Sequence, residues 1–297
     1  MIPTGFGIKL QIFHKKDLFS DRGKMNRLKN RLKMKVSKFG WWLCLLMIIQ
    51  YYSLQGQDKF SQINASPDWV IEFTDPCREN WQEHWFLDGK IATVENSDKG
   101  MNFKAGPVNR NDEHHAVLWT RKSFKGDVKI EFNYTRTDSQ VINVNILYIQ
   151  ATGIAEGPYT KDIAHWNHLR EVPKMSLYYN YMNTLHISYA AFDRDKEDPQ
   201  ADYIRVRQYP VTETISFDDM AIPPDFFKTG LFLPGKTYKL TVIKTREKLF
   251  LKVEGDGKDQ KYSWDLNKPA SITEGRIGLR HMYTRSANYS DFKVWVK

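Results

Sequence analysis

Apolar and polar residues alternate along much of this chain with a period of two. The alternation is clear in residues 127–137 (DVKIEFNYTRT) and 237–255 (TYKLTVIKTREKLFLKVEG). Side chains of a β-strand point to opposite faces in turn, so this pattern predicts strands that bury one face. The second segment predicts a hairpin that turns near residues 245–248.

Similar strand patterns recur from residue 70 to residue 297. They are separated by Gly-Asp, Pro-Gly and Asp-Gly pairs, which favour turns. Residues 159–169 (YTKDIAHWNHL) are predicted to be helical, and Pro173 ends any extension of that helix. So many strands in one chain favour a two-sheet sandwich or a barrel. The other predicted strands are 70–75, 91–96, 101–106, 115–124, 142–151, 184–192, 202–210, 261–266, 275–283 and 290–297.

The first part of the chain has a different pattern. Residues 34–38 (MKVSK) are basic, residues 39–52 (FGWWLCLLMIIQYY) are almost wholly apolar, and the short segment SLQG follows. This order is typical of a secretory signal peptide, and the apolar run is shorter than the roughly 20 residues of a membrane span. We therefore expect an upstream extension (1–33), a cleaved signal peptide (34–56) and one domain (57–297). That domain is expected to be periplasmic or secreted, with no membrane contact after cleavage.

The net charge of +9 comes almost entirely from the leader. Residues 1–57 hold 11 of the 44 Lys and Arg residues and two of the 35 Asp and Glu residues, which leaves 33 of each in the remainder. A neutral domain gives no reason to expect nucleic acid as a partner. Only Cys77 remains after cleavage, so neither an intramolecular disulfide nor a cysteine metal cluster is expected.

Residues 180–210 (NYMNTLHISYAAFDRDKEDPQADYIRVRQYP) carry the strongest chemical signal. They predict two strands joined by an acidic loop, residues 193–198, and each strand has polar side chains on one face. If the two strands share a sheet, their polar faces line one groove. The side chains concerned are His186 in the first strand and Tyr203, Arg205, Arg207 and Tyr209 in the second.

The same segment carries a resemblance to a known family. The chain is similar here to the YesU-like family of concanavalin A-like jelly rolls, which is labelled a domain of unknown function. The similarity is carried by four strings: MNTLHISYAAFD, DYIRVRQYP, FFKTGLFLPGKTYKLTVIK and TEGRIGLRHMYTRSANYSDFKVW. The likeness runs from about residue 69 to the end of the chain. It implies an all-β jelly-roll sandwich of two antiparallel sheets with a short helical insertion.

The resemblance also implies an activity. Members of that family occur among enzymes that degrade uronic-acid polysaccharides such as pectin and ulvan, and some relatives are understood to eliminate water from a terminal uronic acid. We therefore expect a carbon–oxygen lyase that acts on an acidic oligosaccharide and needs no cofactor. The polysaccharide, the leaving group (water or a sugar) and the oligomeric state stay open.

β-Elimination at a uronate removes the proton on C5 and expels the group on C4. A cation has to neutralise the carboxylate, and arginine suits this role because its guanidinium group binds carboxylates in a bidentate manner. The base needs a pKa near the working pH. His186 is the leading candidate for the base, and Arg205 and Arg207 are the candidates for the clamp. Tyr209 or Tyr181 is the candidate for the acid that protonates the leaving oxygen.

Further candidates lie outside these two strands. The string GRIGLRHMYTR places charged and aromatic residues, Arg285 among them, where a strand ends near the groove. His114 and His115 are adjacent and face opposite ways, so only one can face the groove, and we favour His115. In full, the catalytic candidates are His186, Tyr209, Arg205, Arg207, His115 and His281. The substrate-binding candidates are Tyr181, Trp119, Tyr203, Arg280, Tyr283 and His168.

We expect no metal site. His165 and His168 share one helical face but have no obvious third ligand, and loop 193–198 lacks the central glycine of an EF-hand. Two alternatives to a lyase stay open, namely a non-catalytic carbohydrate-binding jelly roll and a glycoside hydrolase. The hydrolase ranks last, because the chain contains neither Glu-x-Asp-x-x-Glu nor Glu-x-Asp-x-Glu, the strings that would bring two carboxylates together on a strand.

Overall fold

The structure, a computed structural model, describes residues 59–266 and 272–297. The expected upstream extension and signal peptide lie outside the described residues. Within them, no helix is long and apolar enough to cross a membrane.

Two antiparallel sheets pack face to face, which confirms the all-β sandwich. In spatial order, sheet A contains β13 (Lys258–Asp265), β12 (Lys248–Gly255), β11 (Thr237–Lys244), β6 (Val128–Arg136), β15 (Ser286–Val296), β4 (Gly100–Lys104) and β3 (Thr93–Ser97), and β1 (Val70–Asp75) also pairs with β15. Sheet B contains β10 (Ala221–Phe227), β9 (Tyr203–Tyr209), β8 (Met182–Ala191), β7 (Asn145–Gly153), β14 (Glu274–His281), β5 (Ala116–Lys125) and β2 (Trp85–Asp88).

Residues 59–64 of the described chain are helical (α1). Met175–Tyr181 form α2, which follows Pro173 and was not predicted. The predicted helix 159–169 corresponds to a 3-10 segment, Ile163–Arg170, whose first turn is capped by the Asp162 side chain. Two further 3-10 turns span Trp81–Glu83 and Asp112–His114.

Each predicted strand segment overlaps an observed strand, and segment 237–255 forms the expected hairpin. The pattern missed β2 and β10. Strand β10 contains Pro223 and Pro224, which cannot donate ladder hydrogen bonds and therefore suit an edge strand. Its pairing with β9 is interrupted between Ile222 and Phe226. Strand β2 has only four residues, too few to show alternation.

The inner faces of the two sheets form the main hydrophobic core. Burial of each aliphatic side chain there contributes about 1.5–3 kcal/mol. Since side chains alternate, the residues between the core positions of sheet B point to its outer face, which α2 and the 3-10 segment partly cover. Representative core residues are Leu147, Ile187 and Val206 of sheet B and Ile130, Val242 and Val294 of sheet A.

Gly278 opens a gap on the outer face of sheet B. It lies in β14 opposite Trp119 of β5 on one side and Tyr148 of β7 on the other. A Cβ atom at this position would come within 2.5 Å of the Trp119 ring. Strands two apart are separated by about 9.6 Å, yet the two ring centroids are 5.2 Å apart. Both rings therefore lean over the glycine and stack on each other.

Candidate functional site

A row of side chains crosses the outer face of sheet B at the level of Gly278. Strand pairing places Tyr148 opposite His186, and His186 opposite Arg207. In the next row Ser188 lies opposite Arg205. The sequence prediction that His186, Arg205 and Arg207 share one face is therefore confirmed, while their chemical roles stay predictions.

A cleft of about 530 Å³ opens over this row. Strands β8 and β9 supply its polar floor, and α2, the residue that follows β8 and a loop after β9 supply aromatic and apolar walls. The floor residues are His186, Ser188, Tyr203, Arg205 and Arg207, and the wall residues include Met175, Tyr179, Phe192 and Phe217.

His186 lies at the floor of the cleft with only 1% of its surface exposed. Neither ring nitrogen has a hydrogen bond of normal geometry within residues 59–266 and 272–297. Burial lowers the pKa of His186 well below 6.5, and the charges of Arg207, Arg280 and Arg205 act in the same direction. The ring is therefore neutral at neutral pH, and one of its nitrogens is free to accept a proton.

Tyr209 lies beside His186, with the ring centroids 4.8 Å apart and the rings edge to face. Burial raises the pKa of Tyr209 well above 10.0, and the neighbouring Tyr148 acts in the same direction. Its hydroxyl is one of the buried groups of the described chain that lack a hydrogen bond of normal geometry. Tyr209 is thus a protonated phenol next to a neutral imidazole, the two forms that an acid and base pair requires. It is buried, however, and does not itself line the cleft.

Two guanidinium groups near His186 have no carboxylate partner in the part of the chain that the structure describes. Arg207 lies over the ring of Phe217, 4.6 Å from its centroid, and its Nε has no hydrogen-bond acceptor among the described residues. Arg280 is fully buried. Its Nη2 donates to the Pro173 carbonyl at 2.8 Å, but its Nε and Nη1 have no hydrogen bond of normal geometry in the described structure.

Arg205 differs from these two guanidinium groups. Its Nε and Nη2 both lie 2.6 Å from Oδ2 of Asp225, so its charge is already balanced by a carboxylate. The structure therefore changes the predicted clamp, because Arg207 lines the cleft and has no counter-ion among the described residues. Arg280 also has none there, but it is fully buried and does not line the cleft. Sequence reasoning could not foresee this, since Asp225 lies in β10, the strand that the pattern missed.

His115 and Tyr283 lie behind Arg280 and outside the cleft lining. Nη2 of Arg280 is 2.9 Å from Nδ1 of His115, and the His115 ring is tilted against Tyr283 at 4.4 Å between centroids. Burial, with Arg280 nearby, lowers the pKa of His115 to about 2. The geometry places His115 as a support for Arg280, not as a base that faces the cleft.

His281 requires a correction. It follows Arg280 in β14, so alternation turns it to the inner face, where it is fully buried. Its Nε2 lies 2.8 Å from the Tyr289 hydroxyl, and its ring stacks on Phe103 at 4.3 Å. Burial lowers the pKa of His281 to about 3. It cannot contact a ligand on the outer face. Arg285 is buried as well and binds Asp138.

Three other candidates also lie away from the cleft. Trp119 is fully buried in a stack with Tyr148 and Tyr178, so its face is not available to a sugar. Tyr181 stacks on Tyr159 at 3.7 Å, which leaves Tyr209 as the better placed acid. His168 is exposed on the 3-10 segment. Among the described residues, no three or more His, Cys, Asp or Glu side chains are grouped to hold a metal ion.

Asp88, which the sequence did not single out, organises the cover of the outer face. Its Oδ2 accepts hydrogen bonds from Arg170 Nε at 2.6 Å and from the Tyr178 hydroxyl at 2.9 Å. The same oxygen accepts from Trp119 Nε1 at 2.7 Å, and Oδ1 accepts from Asn167 Nδ2 at 2.6 Å. One carboxylate thus ties the 3-10 segment and α2 to sheet B. The sequence feature that could have pointed to Asp88 is its position at the end of the apolar and aromatic segment WFLD.

The chain belongs to a family described as Domain of unknown function (DUF1961), whose model matches residues 77–294. It is similar in structure to a protein of unknown function with a galectin-like fold from Bacillus subtilis, at 17% identity over 77% of this chain and 97% of that chain, with a TM-score of 0.57. It is also similar to lectin II from Ulex europaeus, at 8% identity over 78% of this chain and 100% of that chain, with a TM-score of 0.50. None of the curated proteins matches the chain.

At these identities the likeness shows the fold alone, and that fold is the predicted jelly roll. The resemblance seen in the sequence is thus confirmed as far as a jelly-roll family of unknown function. Neither the family description nor these similar structures connect the chain to uronic-acid degradation.

Proposed function

We propose that this protein is a carbon–oxygen lyase that acts on the uronic acid of a polysaccharide-derived oligosaccharide, bound in the cleft over sheet B. One observation carries the proposal. A neutral histidine without hydrogen bonds, His186, lies among guanidinium groups, Arg207 and Arg280, that have no carboxylate partner within the described residues. Arg207 is half-buried and lines the cleft. A cation withdrawn from water without a counter-ion is costly, and the carboxylate of a uronic acid would supply one.

The chemistry follows from these groups. The substrate carboxylate lies against Arg207, which stabilises the negative charge that develops when the C5–H bond breaks. His186 accepts the C5 proton, the electron pair forms the C4=C5 double bond, and the C4–O bond breaks. Tyr209 gives its proton to the leaving oxygen, so water or an alcohol departs. His186 then loses its proton to solvent and Tyr209 regains one, which closes the cycle.

Non-catalytic binding of an acidic sugar is the second candidate. It is favoured by the burial of His186 and by its strongly lowered pKa, because a base of low pKa accepts a carbon-bound proton less readily. Both candidates use the same cleft and the same unpaired Arg207. They differ only in whether a bond breaks.

The test combines an activity assay with a binding assay. The purified protein is incubated with uronic-acid oligosaccharides from ulvan, pectin and alginate, and the near-ultraviolet absorbance of the 4,5-unsaturated product is followed. Binding is measured by calorimetry on the same probes. We expect the absorbance to rise with the wild type and not with His186→Ala, while the variant still binds.

Binding without any rise in absorbance would favour the non-catalytic candidate. Neither binding nor a rise, on any probe, would show that the proposed function is wrong. Arg207→Gln, which removes the guanidinium group of the cleft lining, should weaken binding on the same probes. Arg246→Gln is its matched control, because Arg246 is exposed on the turn between β11 and β12, on sheet A.

The proposal includes export, since polysaccharides are degraded outside the cytoplasm. The support is the order of basic, apolar and small residues in 34–56. Expression in a bacterial host, followed by cell fractionation and sequencing of the mature N-terminus, tests it. We expect the protein in the periplasm or medium with a start near Gln57, and recovery of the uncleaved chain from the cytoplasm would contradict it.

A further inference from the structure

A second cavity, of about 460 Å³, adjoins the cleft over sheet B. Arg194, Tyr203 and Arg205 line both spaces. The second cavity lies toward the sheet edge formed by β10, and Phe227 and Lys228 at the end of that strand complete its lining. A ligand longer than one sugar unit would therefore have a continuous path from one space to the other.

Phe227 is an aromatic ring in an unusual position. It is 62% exposed, although large apolar side chains are usually buried. Alternation explains the exposure, because the preceding Phe226 points inward and packs on Tyr262 and Trp264. Phe227 pairs with Tyr203 across the two strands, so both rings lie on the outer face, 6.4 Å apart. The two rings offer apolar surface of the kind on which a sugar ring stacks.

Lys228 is the available positive charge of this cavity, because it is exposed and forms no ion pair within the described residues. The other two cations of the lining have carboxylates nearby: Arg205 is paired with Asp225, and Arg194, 69% exposed, lies 3.7 Å from Asp195. Asp193 is the one acidic residue that lines the cavity among those described. Lys228 can therefore receive a negatively charged substituent, with the exposed Arg194 beside the same space.

We propose that this cavity is a second sugar subsite, which binds the neighbouring unit of the same oligosaccharide and favours an anionic substituent on it, a sulfate ester or a second carboxylate. Phe227 stacks on that unit, and Lys228 and Arg194 bind its anionic group. The inference rests on the proposed function, because it assumes that the first unit occupies the cleft above His186. It defines the substrate as at least a disaccharide with charge on both units.

Calorimetric titration with four probes tests the subsite. The probes are glucuronic acid, a sulfated ulvan tetrasaccharide, the same tetrasaccharide after chemical desulfation, and a pectin-derived tetragalacturonide. Phe227→Ala is expected to weaken binding of every tetrasaccharide about tenfold and to leave glucuronic acid unchanged. Leu233→Ala is the matched control, since this residue is also exposed, at 43%, and does not line the cavity.

Lys228→Gln separates the two sources of negative charge. If the anion is a sulfate ester, the variant weakens only the sulfated tetrasaccharide, about fivefold. If it is a carboxylate, the variant weakens the tetragalacturonide by a similar factor. Lys99→Gln, at an exposed lysine of the turn between β3 and β4, is the control.

The subsite would be overturned if Phe227→Ala weakened the binding of glucuronic acid and of the tetrasaccharides equally. It would also be overturned if the variant weakened the binding of no probe. A wild-type protein that binds glucuronic acid as tightly as the tetrasaccharides would overturn it as well. Failure of the wild type to bind any probe would instead overturn the proposed function, and with it this inference. All four substituted residues are exposed, so unchanged thermal unfolding is expected as a check on folding.

Discussion

Two groups of buried and half-buried polar side chains lie on the outer face of sheet B, and they differ in how their charges are balanced. Around Asp88, both carboxylate oxygens accept hydrogen bonds and Arg170 supplies the opposite charge. Around His186, the guanidinium groups of Arg207 and Arg280 have no carboxylate among the described residues, and both imidazole nitrogens are unpaired. The first arrangement suits a fixed structural element, whereas the second suits a ligand that arrives with its own negative charge.

The difference has an energetic consequence. A buried ion pair contributes little net stability compared with apolar residues, but removal of one partner is costly because the other charge remains buried. The group around Asp88 should therefore be sensitive in unfolding experiments. The group around His186 already carries unpaired charge, so substitutions there should affect binding more than folding.

The largest effect is expected for Asp88→Asn. The change leaves Arg170, which is fully buried, without a counter-charge. We expect the free energy of unfolding to fall by about 3–5 kcal/mol, measured by urea denaturation. The control is Asp256→Asn, where the partner Lys236 is largely exposed and little change is expected. An equal loss of unfolding free energy in the two variants would show that the ion pair around Asp88 is no more important for stability than an exposed one.

Arg207→Gln is expected to lower the affinity for ligand and to leave the stability of the fold nearly unchanged. It removes a guanidinium group that has no carboxylate partner in the described structure, so the urea midpoint should change little. Affinity for a carboxylated oligosaccharide should fall about 10- to 100-fold, measured by calorimetry. A variant that unfolds more easily but binds as well as the wild type would assign Arg207 to the stability of the fold.

Buried histidines should make the protein less stable in acid. Below about pH 6.5 the unfolded chain binds protons at its histidines, whereas folded His281 stays neutral until its pKa of about 3 and His115 until about 2. Acid therefore favours the unfolded state, by about 1.4 kcal/mol per pH unit for each such histidine. The stability that these groups provide is complete above about pH 6.5 and is lost as the pH falls.

The measurement is urea denaturation between about pH 6 and pH 5, which lies below the usual pKa of histidine and above the usual pKa values of Asp and Glu. In His281→Asn the dependence of the unfolding free energy on pH should become less steep by roughly 1.4 kcal/mol per pH unit, the contribution of one histidine. His168→Asn is the control, because that histidine is exposed. An unchanged slope in His281→Asn would mean that the inner-face histidine is protonated in the folded protein.

The smallest effect is expected for Asp225→Asn. It frees Arg205 from its ion pair and adds an available positive charge to the cleft. Affinity for a carboxylated oligosaccharide at low salt should rise about threefold, as a partly exposed ion pair is worth about 1 kcal/mol or less. Weaker binding would show that Asp225 positions Arg205 for the ligand and does not compete with it.

The sequence predicted what depends on local period. Alternation placed His186 and Arg207 on one face, and strand pairing then brought them side by side. The same rule separates Arg280 from His281, since adjacent residues of a strand face opposite ways. Assigning both to one groove was therefore an error that the sequence itself could have prevented.

What the sequence could not predict depends on contacts between distant residues. Asp88 binds Arg170 and Tyr178, which lie 82 and 90 positions away. No local pattern indicates such pairs without a knowledge of which segments cover the sheet. The partner of Arg205 was missed for a related reason, because two prolines hid the edge strand that carries Asp225.

The gap at Gly278 also has an optical consequence. The gap lets the Trp119 indole stack on the Tyr148 ring. The Tyr148 ring in turn lies 6.0 Å from the His186 imidazole and 6.2 Å from the Tyr209 ring, measured between centroids. Indole emission responds to nearby charge, so a carboxylate entering the cleft should shift the fluorescence of a tryptophan that it never touches. The difference in emission between the wild type and Trp119→Phe would then report ligand occupancy without an added label.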